Sequence, residues 1–373
     1  MFISVASRFV ANIEALNAVE SVGNVTKHRR APIIVFDEKT GYTIKYVPAI
    51  SGESLAHAYQ ANVIEFAKAI YKDEKVPLCK WCARGEFLKE MSMDYMIDDA
   101  KKIVEKLKSA AKEKQGEKKK EKKEREKEIE EKKHEFEKTV IKNCLVEDIG
   151  GFLSAEEFPV KRTSAFQTSY IIPTLDTLKA TIIDTQFHTR HAPIIAAKIE
   201  EEEQKGSAEK EEVKAQMIYY VEVASAIYGL YMNIDLDAIG KTRLVRIEDA
   251  VEPEERRRRI LAALGGLALT INGQFGAKRS RFHPITEIKS VLLSASRYQP
   301  FSVTPPHTTA YIKLTAERSK SFSDLLQKIG IPCDIKLFAY NKESDEKVNG
   351  VQYFDNVESL FDAVISYVMS VLK

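Results

Sequence analysis

Apolar and polar residues change phase several times along this chain, and each change marks an element. From Phe2 to Asn12 the apolar positions Phe2, Val5 and Phe9 are interleaved with Ser4, Ser7 and Arg8, which predicts a first strand entering the core. Residues 17–32 carry no comparable period and read as a loop. Ile33 to Phe36 and Tyr42 to Val47 then pair as a hairpin around Asp37-Glu38-Lys39-Thr40-Gly41, with Gly41 available for a positive φ. Leu55, Tyr59, Val63, Phe66 and Ile70 recur at helical spacing behind the start residues Ser51 to Ser54. Val-, Ile- and Tyr-rich runs over 176–187 and 216–236 predict two more strands. A helix over 253–272 has its apolar face on Ile260, Leu261, Leu264 and Leu267, and a strand over 285–294 follows it. The remainder reads as a Pro-rich loop (300–306), a strand near Tyr311 and a closing amphipathic helix over 357–372.

With the intervening segments set aside, the order is β-α-β-β-α-β. That predicts an α+β fold of RRM or ferredoxin-like topology, built from residues 1–70 and 176–373. Residues 71–175 form a helical insertion. Within it, Ile97, Ile103, Val104 and Leu107, then Ile129, Phe136 and Val140, predict a charged helical hairpin over about 98–143 that breaks at Gly116. Lys and Glu balance closely over 112–138, so the tip reads as a salt-bridged, solvated surface. The long polar excursion between the two strands, about 187–216, is predicted to project as an arm.

The net charge of the 373 residues is only +2, so any nucleic-acid surface must be a local basic patch. The N-terminal alternation differs from a signal peptide, and no apolar run reaches membrane-spanning length, so a cytoplasmic protein is expected. The four cysteines, Cys79, Cys82, Cys144 and Cys333, do not form a secreted-type disulfide framework. Cys79-Lys80-Trp81-Cys82 has metal-ligand spacing, with His134 and Cys144 as conceivable further ligands. One C-x-x-C is weak evidence, buried or free thiols are the simpler account, and neither a metal nor another cofactor is expected.

Four segments carry chemistry suited to a phosphate backbone. The KHRR cluster (Lys27, His28, Arg29, Arg30) lies in the predicted loop. The helix start Ser51, Gly52, Ser54 and His57 offers free N–H groups and close backbone approach, although an ordinary capped core helix would look the same. Gln186, His188, Arg190 and His191 stand at the base of the arm. The glycine-containing loop after the second helix carries Lys278, Arg279 and Arg281. The arginines Arg256 to Arg259 point in successive directions around their helix and read as surface and ion-pair residues.

The strand FISVASRF, the helix opening VPAISGESLAHAYQ, the arm TQFHTRHAP followed by MIYYVEVASAIYGLYMNIDLDAIG, and the loop GAKRSRFHP together resemble the CRISPR-Cascade backbone subunit. The likeness is strongest to the archaeal type I-A branch of the DevR-like family, and it spans nearly the whole chain except 112–138. It implies an RRM-like palm, a helical fingers insertion and a β-hairpin thumb. Copies would stack head-to-tail along a CRISPR RNA, in company with backbone-capping, small and large subunits and a helicase-nuclease. Target DNA would then be read by pairing with the guide. The residues of the four segments would contact RNA, those of the arm from the thumb.

Catalysis is not expected. His188 and His191 have no visible orienting partner, and Asp37 and Glu38 are more simply turn residues than metal ligands. The alternatives are a stand-alone RNA-binding regulator and an RNA-cleaving relative.

Overall fold

A computed structural model describes residues 1–111, 119–155, 159–191 and 216–372. The strands are β1 (Phe2–Glu14), β2 (Ala18–Val22), β3 (Val25–His28), β4 (Arg30–Asp37), β5 (Gly41–Pro48), β6 (Phe152–Ser154), β7 (Val160–Arg162), β8 (Phe166–Thr168), β9 (Ile172–Pro173), β10 (Ile182–His191), β11 (Gln216–Asp235), β12 (Ile285–Arg297), β13 (Asp334–Asn341) and β14 (Val351–Tyr353). The helices are α1 (Gly52–Tyr71), α2 (Asp98–Ala111), α3 (Lys119–Asn143), α4 (Leu145–Gly150), α5 (Pro253–Ile271), α6 (Tyr311–Lys328) and α7 (Val357–Val371).

The central sheet runs β14-β13-β12-β1-β11-β3-β2, and β8, β9 and β10 also pair with β11. β1 lies antiparallel between β11 and β12 over almost its whole length. β8 and β9, which fall inside the predicted insertion, pair with β11 at 232–234 and 228–229, and β10 pairs further along at 216–225. The 20-residue β11 thus belongs to the core at one end, and at the other it pairs with β10 on one edge and with β3 on the opposite edge.

Period-two alternation sends Ile3, Val5, Phe9 and Ala11 toward α1, α5 and α7, where they join Tyr59, Val63, Leu264, Leu267 and Leu360 in the main core. The even positions face a second layer. Ala6 packs with Leu292, Phe301, Val303, Tyr311 and Ile312, so both faces of β1 are covered. Ser4, Ser7 and Arg8 are therefore buried as well. The Arg8 guanidinium is held by Asp176, Glu343 and the carbonyl of Pro306. Gly265 and Gly266 let α1 and α5 approach closely: a Cβ on Gly266 would stand 2.8 Å from the Val63 nitrogen.

Several elements depart from the sequence expectations. Residues 17–32 are not a loop but mostly strand, because Gly23-Asn24 closes a tight β2–β3 hairpin with Gly23 at φ +61 and β3 docks parallel to β11. The strand expected near Tyr311 is the helix α6; its buried positions Tyr311, Ile312, Thr315, Ser319 and Leu326 keep helical spacing, but two of them, Thr315 and Ser319, are not apolar. β13 and β14 extend the sheet beyond β12, where no strand was expected. Arg259 is not a surface residue. It is fully buried and pairs with Asp148 (3.0 Å) and Glu255 (2.7 Å), while Arg162 reaches Asp148 (2.6 Å) and Glu137 (3.3 Å) in the same network. The charged hairpin forms as α2 and α3; part of its expected tip lies outside the described residues.

Candidate nucleic-acid interface

One corner of the sheet gathers segments that are remote in sequence. β1 bulges after Ala11, with Ile13 at φ +56, and the chain turns through Glu14 to Ala18. The Asn17 carbonyl accepts the Arg29 N–H, and its side-chain oxygen accepts the Ser51 N–H at 2.8 Å. The Leu16 carbonyl accepts the Ala277 N–H, also at 2.8 Å. Leu16 fills the space a side chain on Gly276 would need. Arg29 between β3 and β4, the start of α1 and the loop after α5 are thus all fastened to two consecutive residues.

Beside this corner lies a cleft of ≈ 590 Å³, lined by Gly23, Asn24 and Thr26 of the β2–β3 hairpin, Tyr219 and Val221 of β11, and Lys278, Arg281 and Phe282 of the loop. Three of its lining residues belong to one apolar patch: Val221 clusters with Ala15, Ala18 and Val223, and Tyr219 and Phe282 pack against that cluster. His188 on β10 stacks on Tyr219, with ring centroids 5.2 Å apart and planes 20° from parallel, and meets the Phe282 edge-on at 5.5 Å. The arm's base and the basic loop therefore share an aromatic wall. Lys278 sits at φ +53 and is partly buried; partial desolvation lowers its pKa, a cost that an anion in the cleft would relieve.

The expected binding residues divide sharply. Lys278 and Arg281 line the cleft, and His188 packs against its lining residues Tyr219 and Phe282. Gln186 lies on the same face of β10, opposite Val221, and donates to Asp184. The backbones of Arg190 and His191 continue β10 opposite Met217 and Gln216, and their side chains lie outside the described residues. Arg279 is turned back on its own loop, donating to Gln274 and His283. Ser51 is buried as the N-cap of α1: its Oγ accepts the Ser54 N–H at 3.2 Å, and Gly52 packs against Thr168. The ordinary capped-helix reading fits those three residues, and His57 alone is exposed there, against Phe87.

In KHRR, Lys27 is exposed but lies on the face of β3 away from Thr26. Arg29 has a buried Nε without a hydrogen-bond partner among the described residues, and Arg30 pairs with Glu222. His28 is a correction. It is completely buried, with Nε2 2.7 Å from Glu14 Oε1, and the same oxygen accepts from Tyr228 at 2.6 Å. Burial alone would depress its pKa, but the Glu14 carboxylate outweighs that, so the pKa is raised and the ring serves the fold. Asp37 accepts the N–H groups of Lys39 and Thr40 as a turn residue, in line with the sequence reading. Tyr219 and Phe282 escaped the sequence reading; the signal for Phe282 was an aromatic placed between Arg281 and His283 in a basic loop.

The arrangement offers ring faces for bases and cations for phosphates, which is the chemistry of single-stranded nucleic-acid binding. A family model described as CRISPR-associated negative auto-regulator DevR/Csa2 matches residues 5–316. The "CRISPR-associated protein Cas7/Csa2 1" of Saccharolobus solfataricus is 35% identical over 330 residues, 87% of this chain and 89% of that protein. The "CRISPR-associated aCascade subunit Cas7/Csa2 2" of the same organism is 33% identical over 363 residues, 96% of this chain and 98% of that protein. A chain of a solved "CRISPR RNA-guided surveillance complex, pre-nicking" has a similar fold, with a TM-score of 0.50 at 14% identity, covering 98% of this chain and 99% of that one.

Proposed function

The chain belongs to the CRISPR-associated DevR/Csa2 family, and from that premise we propose that it is a non-catalytic backbone subunit that polymerises along a guide RNA in a type I-A interference complex. The observation that carries this reading is the cleft lined by Tyr219, Phe282, Lys278 and Arg281, whose two rings also pack against His188 of β10. In this reading the guide's backbone runs past Lys278 and Arg281, bases stack on the rings, and the exposed guide pairs with target DNA. The sheet β12-β1-β11 with β8, β9 and β10 supports an RRM-like palm and the β10–β11 pair the thumb; the fingers are the predicted insertion 71–175 without β8 and β9, which pair with β11. Since α6 and residues 301–303 cover the outer face of β1, RNA binds at the loops and the β10–β11 pair instead of the sheet face.

Head-to-tail stacking needs an apolar face that the chain does not cover itself. The β4–β5 hairpin has one: Ile34 pairs with Ile44 and Phe36 with Tyr42, and these four and Tyr46 are each at least 66% exposed. A neighbouring copy covers it in the assembly, which forms in the cytoplasm with the other Cascade subunits. The test is the mass distribution of purified protein on single-stranded RNAs of increasing length, at two salt concentrations. Species that grow stepwise with RNA length, and fail to grow in an Ile44→Lys variant, support the filament. A constant one-to-one complex would instead favour a lone RNA-binding regulator, and shortened RNA a nuclease.

A further inference from the structure

The insertion holds a second cluster that RNA binding does not use. Cys79 and Cys82 close a tight turn in which the Ala83 N–H bonds to the Cys79 carbonyl at 3.0 Å and the Cys82 N–H points at the Cys79 sulfur at 3.3 Å. Cys144 stands immediately before α4, and Glu147 follows three residues later on the same side of the helix. The Leu145 N–H bonds to the Pro77 carbonyl at 2.8 Å, which straps the two segments together. The three sulfurs and a Glu147 oxygen all lie within 4.8 Å of one another.

Cys82, Cys144 and Glu147 are completely buried, and neither Glu147 oxygen has a hydrogen-bond partner among the described residues. A buried carboxylate costs several kcal/mol, and Glu147 also faces the carboxyl of Glu90, itself fully buried with one oxygen unpartnered among the described residues, so two acids crowd beside the thiols. A disulfide would use two sulfurs and leave the carboxylate as it is. A cation satisfies all four groups at once.

We propose that Cys79, Cys82, Cys144 and Glu147 form a tetrahedral site for a thiophilic divalent cation, zinc. Zinc bonds of about 2.3 Å to sulfur and about 2.1 Å to oxygen separate neighbouring ligand atoms by about 3.5–3.8 Å, so the cluster needs to contract by roughly 1 Å to close on the ion. Thiolate donors select zinc over magnesium or calcium, which take oxygen ligands. Three thiolates and a carboxylate overcompensate the ion's charge; Lys89, half-buried nearby with its ammonium on the Gly150 carbonyl, offsets part of the excess. His134, the other ligand conceivable from sequence, is committed elsewhere, 2.9 Å from Glu248.

The site would be structural. Between α1 and α2 the chain has only the three-residue 3-10 turn Cys82–Arg84 as regular structure, and zinc would tie that stretch to the α3–α4 junction. The same stretch places Phe87 against His57, so its order bears on the start of α1.

The experiment measures metal content on RNA-free protein, and so stands apart from the guide-RNA reading. Protein produced with zinc and washed free of loose metal is assayed by elemental analysis, and protein produced with cobalt by absorption. The expected result is about one ion per chain, tetrahedral cobalt spectra with thiolate charge-transfer bands, and a thermal midpoint lowered by a strong chelator. Cys79→Ser, at the half-exposed position, and Glu147→Gln should each reduce the bound metal while the chain stays folded. Metal-free protein whose midpoint ignores the chelator, a Cys79–Cys82 disulfide in freshly purified protein, or full metal retention in Cys79→Ser would overturn the proposal.

Discussion

Replacing Lys278 and Arg281 together by Gln tests the cleft most directly, because it removes two charges while nearly preserving side-chain volume. Lys278 occupies the left-handed region, which Gln tolerates no worse than Lys, and neither side chain forms an ion pair among the described residues. Each phosphate contact on a single strand contributes about 0.7 to the slope of log affinity against log salt, so losing two should flatten it by about 1.4. The wild-type advantage over the variant should then shrink about sevenfold between 50 and 200 mM salt. Fluorescence anisotropy of a labelled single-stranded RNA across that range reads the slope. Phe282→Leu is the companion: it removes the ring beside His188 and should cost about 1–3 kcal/mol per stacked base, roughly 5- to 150-fold in affinity, with the slope unchanged. An unaltered slope in Lys278→Gln/Arg281→Gln, in protein whose melting is unchanged, would mean that these cations face solvent and that the guide's path lies elsewhere.

Three further outcomes follow from the structure, and a fourth from the basic arm in the sequence. Because the His28 pKa is raised by Glu14, its contribution to stability is complete below the ordinary histidine pKa and is lost as pH rises through the folded value; the melting difference between wild type and His28→Gln should therefore narrow above about pH 6.5. A constant difference across pH 5–9 would contradict the ion pair. Gly266→Ala drives a methyl into the Val63 backbone and should destabilise by about 1–3 kcal/mol in denaturant titrations; a neutral result would mean that α1 and α5 separate freely. Arg162→Leu leaves Glu137 buried against only the N–H groups of Arg243 and Leu244 and removes one of Asp148's two arginines, for a loss of about 3–5 kcal/mol by the same measurement. Arg190→Ala/His191→Ala should weaken RNA binding and flatten its salt dependence if the β10–β11 pair grips the guide, whereas Lys80→Ala should leave both as they are.

What the sequence by itself determined are the elements with one wet face. α1 was legible because Leu55, Tyr59 and Val63 repeat every turn against polar neighbours; the β4–β5 hairpin because Gly41 follows Asp37 at turn spacing; α2 and α3 because apolar positions recur in a charged background. Lys278, Arg281 and His188 were legible as candidates from charge and from their place beside turns. Tertiary structure decided wherever a residue's environment comes from a distant partner. His28 looks like part of a basic loop until Glu14 and Tyr228 surround it, and Arg259 looks like a surface arginine until Asp148 is brought beneath it. α6 concealed its period because two of its buried positions are polar: Thr315, whose hydroxyl donates to the Tyr311 carbonyl, and Ser319. The cysteines gave a weak motif until α4 supplied Glu147, 65 residues beyond Cys82. Local period reports only whether solvent lies on one side of a segment; which buried charge meets which counter-charge depends on long-range packing, which no local window of sequence contains.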